Sequence, residues 1–123
     1  MAQEIVFLVD SNIWLERLLD QEKANDVKEF LDQVPSINLA ISDFSLHSIG
    51  VILFHLKKEQ VFNLFLTDIF INEDVQLLSL SGQHHINLDK YHKKYNLDFD
   101  DTYQYLIASK FNLKIVSFDK DFK

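Results

Sequence analysis

Cysteine is absent from the 123-residue sequence, which also contains only two Gly and one Pro. The lack of Cys excludes a disulfide framework and every zinc site that needs thiolate ligands. The scarcity of Gly and Pro predicts short connections rather than long irregular loops. No apolar run approaches the ~20 residues of a membrane-spanning helix, and no signal-peptide pattern is visible. We therefore expect a cytoplasmic protein without membrane attachment.

Positive charge is also scarce. Twelve Lys and Arg residues face 19 Asp and Glu residues, which gives a formal net charge of −7. This balance argues against a broad basic surface for non-specific binding of nucleic acid. It is compatible with a nuclease, because acidic metal ligands add to the deficit. The lysines at positions 57–58 and 90–94 are best explained as solvated helix surface.

Apolar residues, in contrast, make up 47% of the chain and include eleven Phe, enough for one compact domain over residues 1–123. Apolar runs typical of buried strands alternate with segments typical of helices, in the order β-α-α-β-α-α-β-α-α-β. This order predicts an α/β protein with helices on both faces of a parallel sheet. The predicted strands cover residues 5–9, 39–41, 75–80 and 114–118, and the predicted helices begin near residues 11, 25, 43, 59, 83 and 98.

The two predicted helices within residues 43–70 are apolar on more than one side. A helix of this kind needs more than one packing partner. Either the core of the domain surrounds these helices, or a second copy of the chain covers them. We expect the second arrangement, a homodimer formed through this part of the chain.

Acidic residues follow two of the predicted strands and begin one of the helices. Asp10 comes directly after the first strand, Asp119 follows the last strand, and Asp98, Asp100 and Asp101 stand where the last helix begins. Each has an ordinary explanation as a turn former or a helix cap. In a parallel sheet, however, strand carboxyl ends and the amino ends of the following helices share one edge. We therefore expect these carboxylates to crowd one pocket.

Crowded carboxylates predict a divalent-metal site. In a cleft of low dielectric constant they repel one another by on the order of a few kcal/mol, and they stay ionised only when a cation lies between them. Hard oxygen ligands favour Mg²⁺ or Mn²⁺ over zinc. Such ions activate water for the hydrolysis of phosphodiesters, so the pattern predicts a metal-dependent nuclease.

Three segments together resemble the PIN domain, the nuclease fold of the VapC-type toxins. Their order and spacing are similar to the family's opening strand with its acid, its central helix start and its closing strand with its acid. The resemblance covers residues 5–122. The segments are Val9-Asp10-Ser11-Asn12-Ile13-Trp14, Leu97-Asp98-Phe99-Asp100-Asp101-Thr102 and Val116-Ser117-Phe118-Asp119-Lys120-Asp121-Phe122.

The resemblance implies a three-layer α/β/α sandwich whose central parallel sheet has four to five strands. It implies a ribonuclease that depends on Mg²⁺ or Mn²⁺, acts on RNA, often forms homodimers and often has an antitoxin partner. The metal ligands and catalytic residues that it implies are Asp10, Asp101 and Asp119. The auxiliary residues that it implies are Ser11, Asn12, Ser48, Asp98, Asp100 and Asp121.

These auxiliary residues would act in different ways. Asn12 would steady the site, and Ser11 would hold Asp10 or a metal-bound water. Asp98 or Asp100 would tune that water or accept its proton. Asp121 is either a further acid of the site or an exposed turn residue.

One position departs from the family pattern. The family usually places a Glu in the helix after strand two, at the position that Ser48 occupies here. A neutral hydroxyl cannot replace the charge of a carboxylate, although Asp43 or Asp100 could supply the missing oxygen. Two hypotheses stay open: an active ribonuclease that is the toxin of a toxin–antitoxin pair, and an impaired PIN domain that serves as a binding or dimerisation module.

Other motifs fit less well. His85 and His92 lie two helical turns apart, too far for one ion, so these residues and His84 are expected on the surface. A haloacid-dehalogenase phosphatase would need an Asp where Asn12 stands. A receiver domain would need paired acids directly after the first strand, and the chain has only Asp10 there.

Overall fold

The computed structural model describes residues 5–86 and 88–118. The predicted ligand Asp119 and the predicted auxiliary acid Asp121 lie outside these ranges. The strands are β1 (Phe7–Val9), β2 (Leu39–Ser42), β3 (Gln76–Leu78) and β4 (Lys114–Val116). The helices are α1 (Ser11–Leu18), α2 (Ala24–Gln33), α3 (Asp43–His55), α4 (Glu59–Thr67), α5 (Gly82–His85), α6 (Leu88–Tyr95) and α7 (Phe99–Phe111).

The four strands form one sheet in the order β3-β2-β1-β4, and every neighbouring pair is parallel. Leu8 in β1 pairs with Ala40 in β2 on one side and with Ile115 in β4 on the other. The chain moves from β1 through β2 to β3 on one side, and then crosses back to place β4 on the other side of β1, so the strand order reverses there. This reversal creates a crevice at the carboxyl end of β1, where ligands bind in folds of this kind.

Each face of the sheet carries its own hydrophobic core. Side chains alternate along β1, so Val9 packs with α1, α2, α3 and α4, whereas Leu8 packs with α7. Along β2, Ile41 joins the same core as Val9, and Ala40 joins the same core as Leu8. Helices thus cover both faces, and the predicted three-layer α/β/α architecture with a parallel sheet is confirmed.

Side chains at the amino ends of three helices cap them at the same edge of the sheet. Asp10 caps α1 by accepting from the backbone N–H of Ser11 (2.7 Å), and Asp98 caps α7 by accepting from that of Asp101 (2.9 Å). The hydroxyl of Ser42 caps α3. Capping satisfies backbone donors that have no partner within the helix. It also fixes the chain direction at the points where the acids stand.

One predicted helix is divided. The sequence predicted a continuous helix over residues 83–95, but the structure has the short α5 and then α6. Ser81 binds both histidines of α5, its hydroxyl to Nδ1 of His84 (2.7 Å) and its carbonyl oxygen to Nδ1 of His85 (2.8 Å). Both bonds lie in the first turn of α5, at its amino end. None of the described helices has both the length and the hydropathy of a membrane span.

Candidate functional site

Asp10 lies at the carboxyl end of β1, where its half-buried carboxylate accepts four hydrogen bonds from the described residues. Oδ1 accepts from the backbone N–H of Ser11 (2.7 Å), from the hydroxyl of Ser11 (3.5 Å) and from Nε2 of Gln104 (3.2 Å). Oδ2 accepts from the hydroxyl of Ser117 (2.9 Å). All four donors are neutral, so they orient the carboxylate without compensating its negative charge.

Asn12 joins the first turn of α1 to the chain that leaves β4. Its Nδ2 donates to the hydroxyl of Ser117 (3.1 Å), and its Oδ1 accepts from the backbone N–H of Phe118 (3.3 Å). Ser117 in turn donates to Asp10. Asn12 therefore acts on Asp10 through Ser117, an arrangement that agrees with the steadying role expected from the sequence.

Gln104 brings α7 and α3 to the same carboxylate. Its side chain is 1% exposed, and its Nε2 lies 3.2 Å from Oδ1 of Asp10 and 2.9 Å from the hydroxyl of Ser45. The backbone N–H of Ser45 donates to the hydroxyl of Ser42 (2.9 Å), so the network continues to the cap of α3. Gln104 Oε1 is buried and has no hydrogen-bond partner among the described residues.

One acid at the start of α7, Asp100, interacts electrostatically with Asp10. Burial raises the pKa of the Asp100 carboxyl, and the negative charges of Asp98 and Asp10 raise it further. The interaction with Asp10 places Asp100 within electrostatic reach of the end of β1. Asp101 is half-buried, and its backbone N–H donates to Asp98.

These oxygen donors fit a divalent metal ion. Oδ2 of Asp10 accepts a single hydrogen bond from the described residues and so keeps a lone pair for a cation, which would relieve the repulsion between Asp10 and Asp100. Mg²⁺ is commonly held by one or two carboxylates, with water completing its coordination. Within residues 5–86 and 88–118, no three His, Asp or Glu side chains form a metal-binding group. The predicted third ligand, Asp119, stands outside those ranges.

The sequence analysis did not identify Gln104, Ser45 or Ser117. The α3 hydroxyl that is connected to Asp10 belongs to Ser45, whereas the predicted Ser48 lies half-buried on the same helix, closer to its carboxyl end. One signal was present for Gln104: it is a polar residue inside an apolar stretch, four positions after Asp100. That spacing places two side chains on one face of a helix.

The sequence matches the family model of the PIN domain over residues 7–123, so the chain belongs to the PIN domain family. The resemblance seen in the three acidic motifs is thereby confirmed. No curated protein sequence matches the chain significantly.

Two solved structures share the fold. A toxin–antitoxin complex from Klebsiella pneumoniae contains a chain with 20% identity and a TM-score of 0.73, over 94% of this chain and 88% of that one. VapC20 of Mycobacterium tuberculosis, a sarcin–ricin loop cleaving toxin, has 14% identity and a TM-score of 0.78, over 94% of this chain and 92% of its own. Because the sequence identities are this low, the structural similarity establishes a common fold and nothing further.

Proposed function

We propose that this protein is a ribonuclease that depends on Mg²⁺ or Mn²⁺ and acts in the cytoplasm as the toxin of a toxin–antitoxin pair. The observation that carries the proposal is the carboxylate of Asp10. It stands at the switch point of a PIN-domain sheet, held by four neutral donors and within electrostatic reach of Asp100.

The neutral donors support a metal-binding role. An Arg or Lys partner would compensate the carboxylate and compete with a metal ion, but no cationic side chain donates to Asp10 within the described part of the chain. Hydrogen bonds from the serine and the glutamine fix the direction of the oxygens without neutralising them. PIN nucleases in general use divalent metal ions.

In this mechanism Asp10, Asp101 and Asp119 would hold the ion, and Asp100 would add negative charge beside them. The ion would supply polarisation of the scissile phosphate and of an attacking water. Asp98 or Asp100 would accept the proton of that water, and Asp100 is the one within electrostatic reach of Asp10. Ser11 supports Asp10 through its backbone N–H.

The partners follow from the same comparison. One similar structure is a toxin–antitoxin complex and another is a toxin that cleaves RNA. These likenesses support an RNA substrate and an antitoxin protein as partners of this chain. An antitoxin that covers the edge carrying Asp10 would block access to the carboxylates.

We also propose a homodimer through α3 and α4. On α3, Val51 is 56% exposed and Phe54 is 55% exposed, and both line a shallow cavity of about 320 Å³ with Gly50 and Phe62. A Cβ atom at position 50 would lie 3.2 Å from the Phe62 ring, so Gly50 allows α3 and α4 to pack closely. The apolar side chains beside this contact have no cover in the monomer.

The decisive test is Asp10→Asn in a cleavage assay with mixed-sequence RNA and Mn²⁺. We expect the cleavage rate to fall by at least about 100-fold, because even residues that only support a metal ligand cost up to about that much when they are replaced. The shift in melting temperature that Mn²⁺ produces should disappear as well. Asp26→Asn, which changes an exposed acid in the first turn of α2, serves as the control. Unchanged cleavage by Asp10→Asn would eliminate this site.

The second candidate function, a binding or dimerisation module, is motivated by Ser48 in place of the family's Glu. It predicts that the wild-type protein neither cleaves RNA nor gains thermal stability from Mn²⁺. Wild-type cleavage that EDTA abolishes and Mn²⁺ restores would exclude it.

A further inference from the structure

A second cavity, of about 480 Å³, opens beside the first turn of α7, between that helix and α5 and α6. Its volume lies within the range of about 300–1,000 Å³ that is typical of small-molecule sites. Apolar and polar side chains share its lining, namely His85, Ile86, Leu88, Asp89, His92 and Phe99. None of these residues belongs to the network around Asp10.

Phe99 connects this cavity to the acids. It is the first residue of α7, between Asp98 and Asp100, and its side chain is 58% exposed. Consecutive helix residues diverge by about 100°, so the ring lies beside the acid cluster rather than within it. A strand of RNA with one phosphate at the acids would pass this ring with a neighbouring nucleotide.

The two histidines present a defined chemical face. Nδ1 of His85 binds the carbonyl oxygen of Ser81 (2.8 Å), and Nδ1 of His92 binds the carbonyl oxygen of Leu97. A carbonyl oxygen only accepts, so each Nδ1 carries the hydrogen. In the neutral imidazole Nε2 is then an acceptor. Both rings therefore offer acceptor nitrogens to a ligand.

The remaining polar groups are acceptors too. Asp89 accepts from the backbone N–H of Lys90 (2.9 Å) through Oδ1, and within residues 5–86 and 88–118 no donor is recorded for its Oδ2. The hydroxyl of Thr102, which also lines the cavity, donates to the carbonyl oxygen of Asp98 (2.6 Å). The cavity thus combines an exposed aromatic ring with hydrogen-bond acceptors, a combination that suits a flat ligand with donors on its edge.

We propose that this cavity binds a nucleobase of the RNA substrate, next to the cleaved phosphate, and that it prefers guanine. The proposal rests on the proposed function for the identity of the substrate. Single-stranded RNA is recognised by stacking of unpaired bases on aromatic rings and by hydrogen bonds to their edges. Guanine presents two adjacent donors, N1–H and the exocyclic amine, which match the carboxylate of Asp89. Uracil presents a single donor between two carbonyl groups.

Lys93 supplies a positive charge near this cavity in an acidic protein. It is exposed, and it follows Asp89 by four residues on α6, which places both side chains on one face of the helix. Its ammonium group can meet a phosphate of the RNA while the base enters the cavity.

The test is a titration of ¹⁵N-labelled protein, free of metal, with GMP, AMP, CMP and UMP. We expect the largest shifts at residues 85–86, 88–92 and 99, with GMP binding most tightly. Phe99→Ala should weaken GMP binding by roughly five- to hundredfold, the range for loss of a base–aromatic stack. Asp89→Asn should remove the preference for GMP over UMP. Phe111→Ala, at the other end of α7, and Asp26→Asn, in the first turn of α2, are matched controls that should bind like the wild type.

The outcomes separate this proposal from the proposed function. GMP binding at these residues in a protein that cleaves no RNA would retain the base site and reject the nuclease. Cleavage by Phe99→Ala and Asp89→Asn with wild-type rate and base preference would retain the nuclease and overturn the base site. Shifts at these residues with an antitoxin peptide but with no nucleotide would also overturn it.

Discussion

The two ends of α3 have opposite character. At its amino end, the hydroxyls of Ser42 and Ser45 are buried, 0% and 1% exposed, and take part in the network that reaches Asp10. In its later turns Val51 and Phe54 expose more than half of their surface. Polar groups are therefore buried and paired where the helix meets the sheet edge, whereas apolar groups are open to solvent further along.

This contrast separates two tasks within one helix. Buried hydroxyls persist only where hydrogen bonds satisfy them, so the amino end is committed to one arrangement of the site. Exposed large apolar side chains that lie together mark an interaction surface. The first turn of α3 thus supports the chemistry of the edge, and its later turns are suited to association with a second copy.

The largest predicted effect is loss of the dimer when the exposed apolar residues in the later turns of α3 are replaced. Val51→Asp combined with Phe54→Asp should convert a dimer into a monomer at micromolar protein, because each buried anchor of an interface contributes about 2 kcal/mol or more. Light scattering coupled to size-exclusion chromatography measures the result. Ile71→Asp changes a residue that is 77% exposed outside α3 and should leave the dimer intact. A wild-type protein that is monomeric under these conditions would remove the proposed interface.

At the polar end, Gln104→Ala should lower ribonuclease activity by roughly 10- to 100-fold, as expected for a residue that supports a metal ligand. The reason is the loss of its hydrogen bonds to Asp10 and Ser45. It should also raise the Mn²⁺ concentration needed for half-maximal stabilisation, which a purely structural role would not change. Gln60→Ala, an exposed glutamine of α4, is the control. Wild-type Mn²⁺ response in Gln104→Ala would show that Asp10 does not need this support.

Periodicity and strand order predict most of the fold, and they predict that Asp10 lies at the sheet edge that the start of α7 also reaches. Asp10 could be located because it directly follows the apolar run that forms β1, and a parallel sheet brings that point to the start of α7. Gln104 and Ser45 could not be assigned to the site from the sequence, because their hydrogen bonds depend on the rotation of α7 and α3 about their axes. That rotation is set by packing of the whole core rather than by local pattern.

A smaller effect, on stability, is expected from removing the hydrogen bond that joins α7 to the start of α3. The buried hydroxyl of Tyr103 donates to Asp43 (2.7 Å) and accepts from the backbone N–H of Leu80 (3.1 Å). Tyr103→Phe leaves that N–H unpaired and should lower the free energy of unfolding by about 1–3 kcal/mol in urea denaturation. Leu106→Ala, a half-buried neighbour on α7 without a hydrogen bond, gives the cost of lost packing alone. A Tyr103→Phe protein as stable as the wild type would show that the two bonds contribute nothing.

The same tyrosine makes a prediction about pH. Burial raises the pKa of the Tyr103 phenol above its ordinary value of 10.0, and its hydrogen bond to Asp43 and the charge of that carboxylate raise it further. The unfolded chain therefore ionises at lower pH than the folded one, and this group's contribution is lost as pH rises from about 10 through the folded pKa. Stability of the wild type should fall more steeply than that of Tyr103→Phe over this window. If the stabilities of the wild type and Tyr103→Phe fall equally with pH over this window, the raised pKa of Tyr103 is contradicted.

The smallest predicted effect is a difference in stability between substitutions at two serines of α3, Ser45 and Ser48. Ser48→Ala should change the free energy of unfolding by within about 0.5 kcal/mol, whereas Ser45→Ala should cost about 1 kcal/mol because Gln104 loses a buried acceptor. Ser48→Glu restores the acid that the family usually carries. If residue 48 faces the carboxylates, this variant lowers stability without metal and regains it with Mn²⁺, since a third charge increases both the repulsion and the affinity for a cation. Equal stability of Ser48→Glu with and without Mn²⁺, in a protein whose wild type responds to the metal, would place residue 48 outside the site.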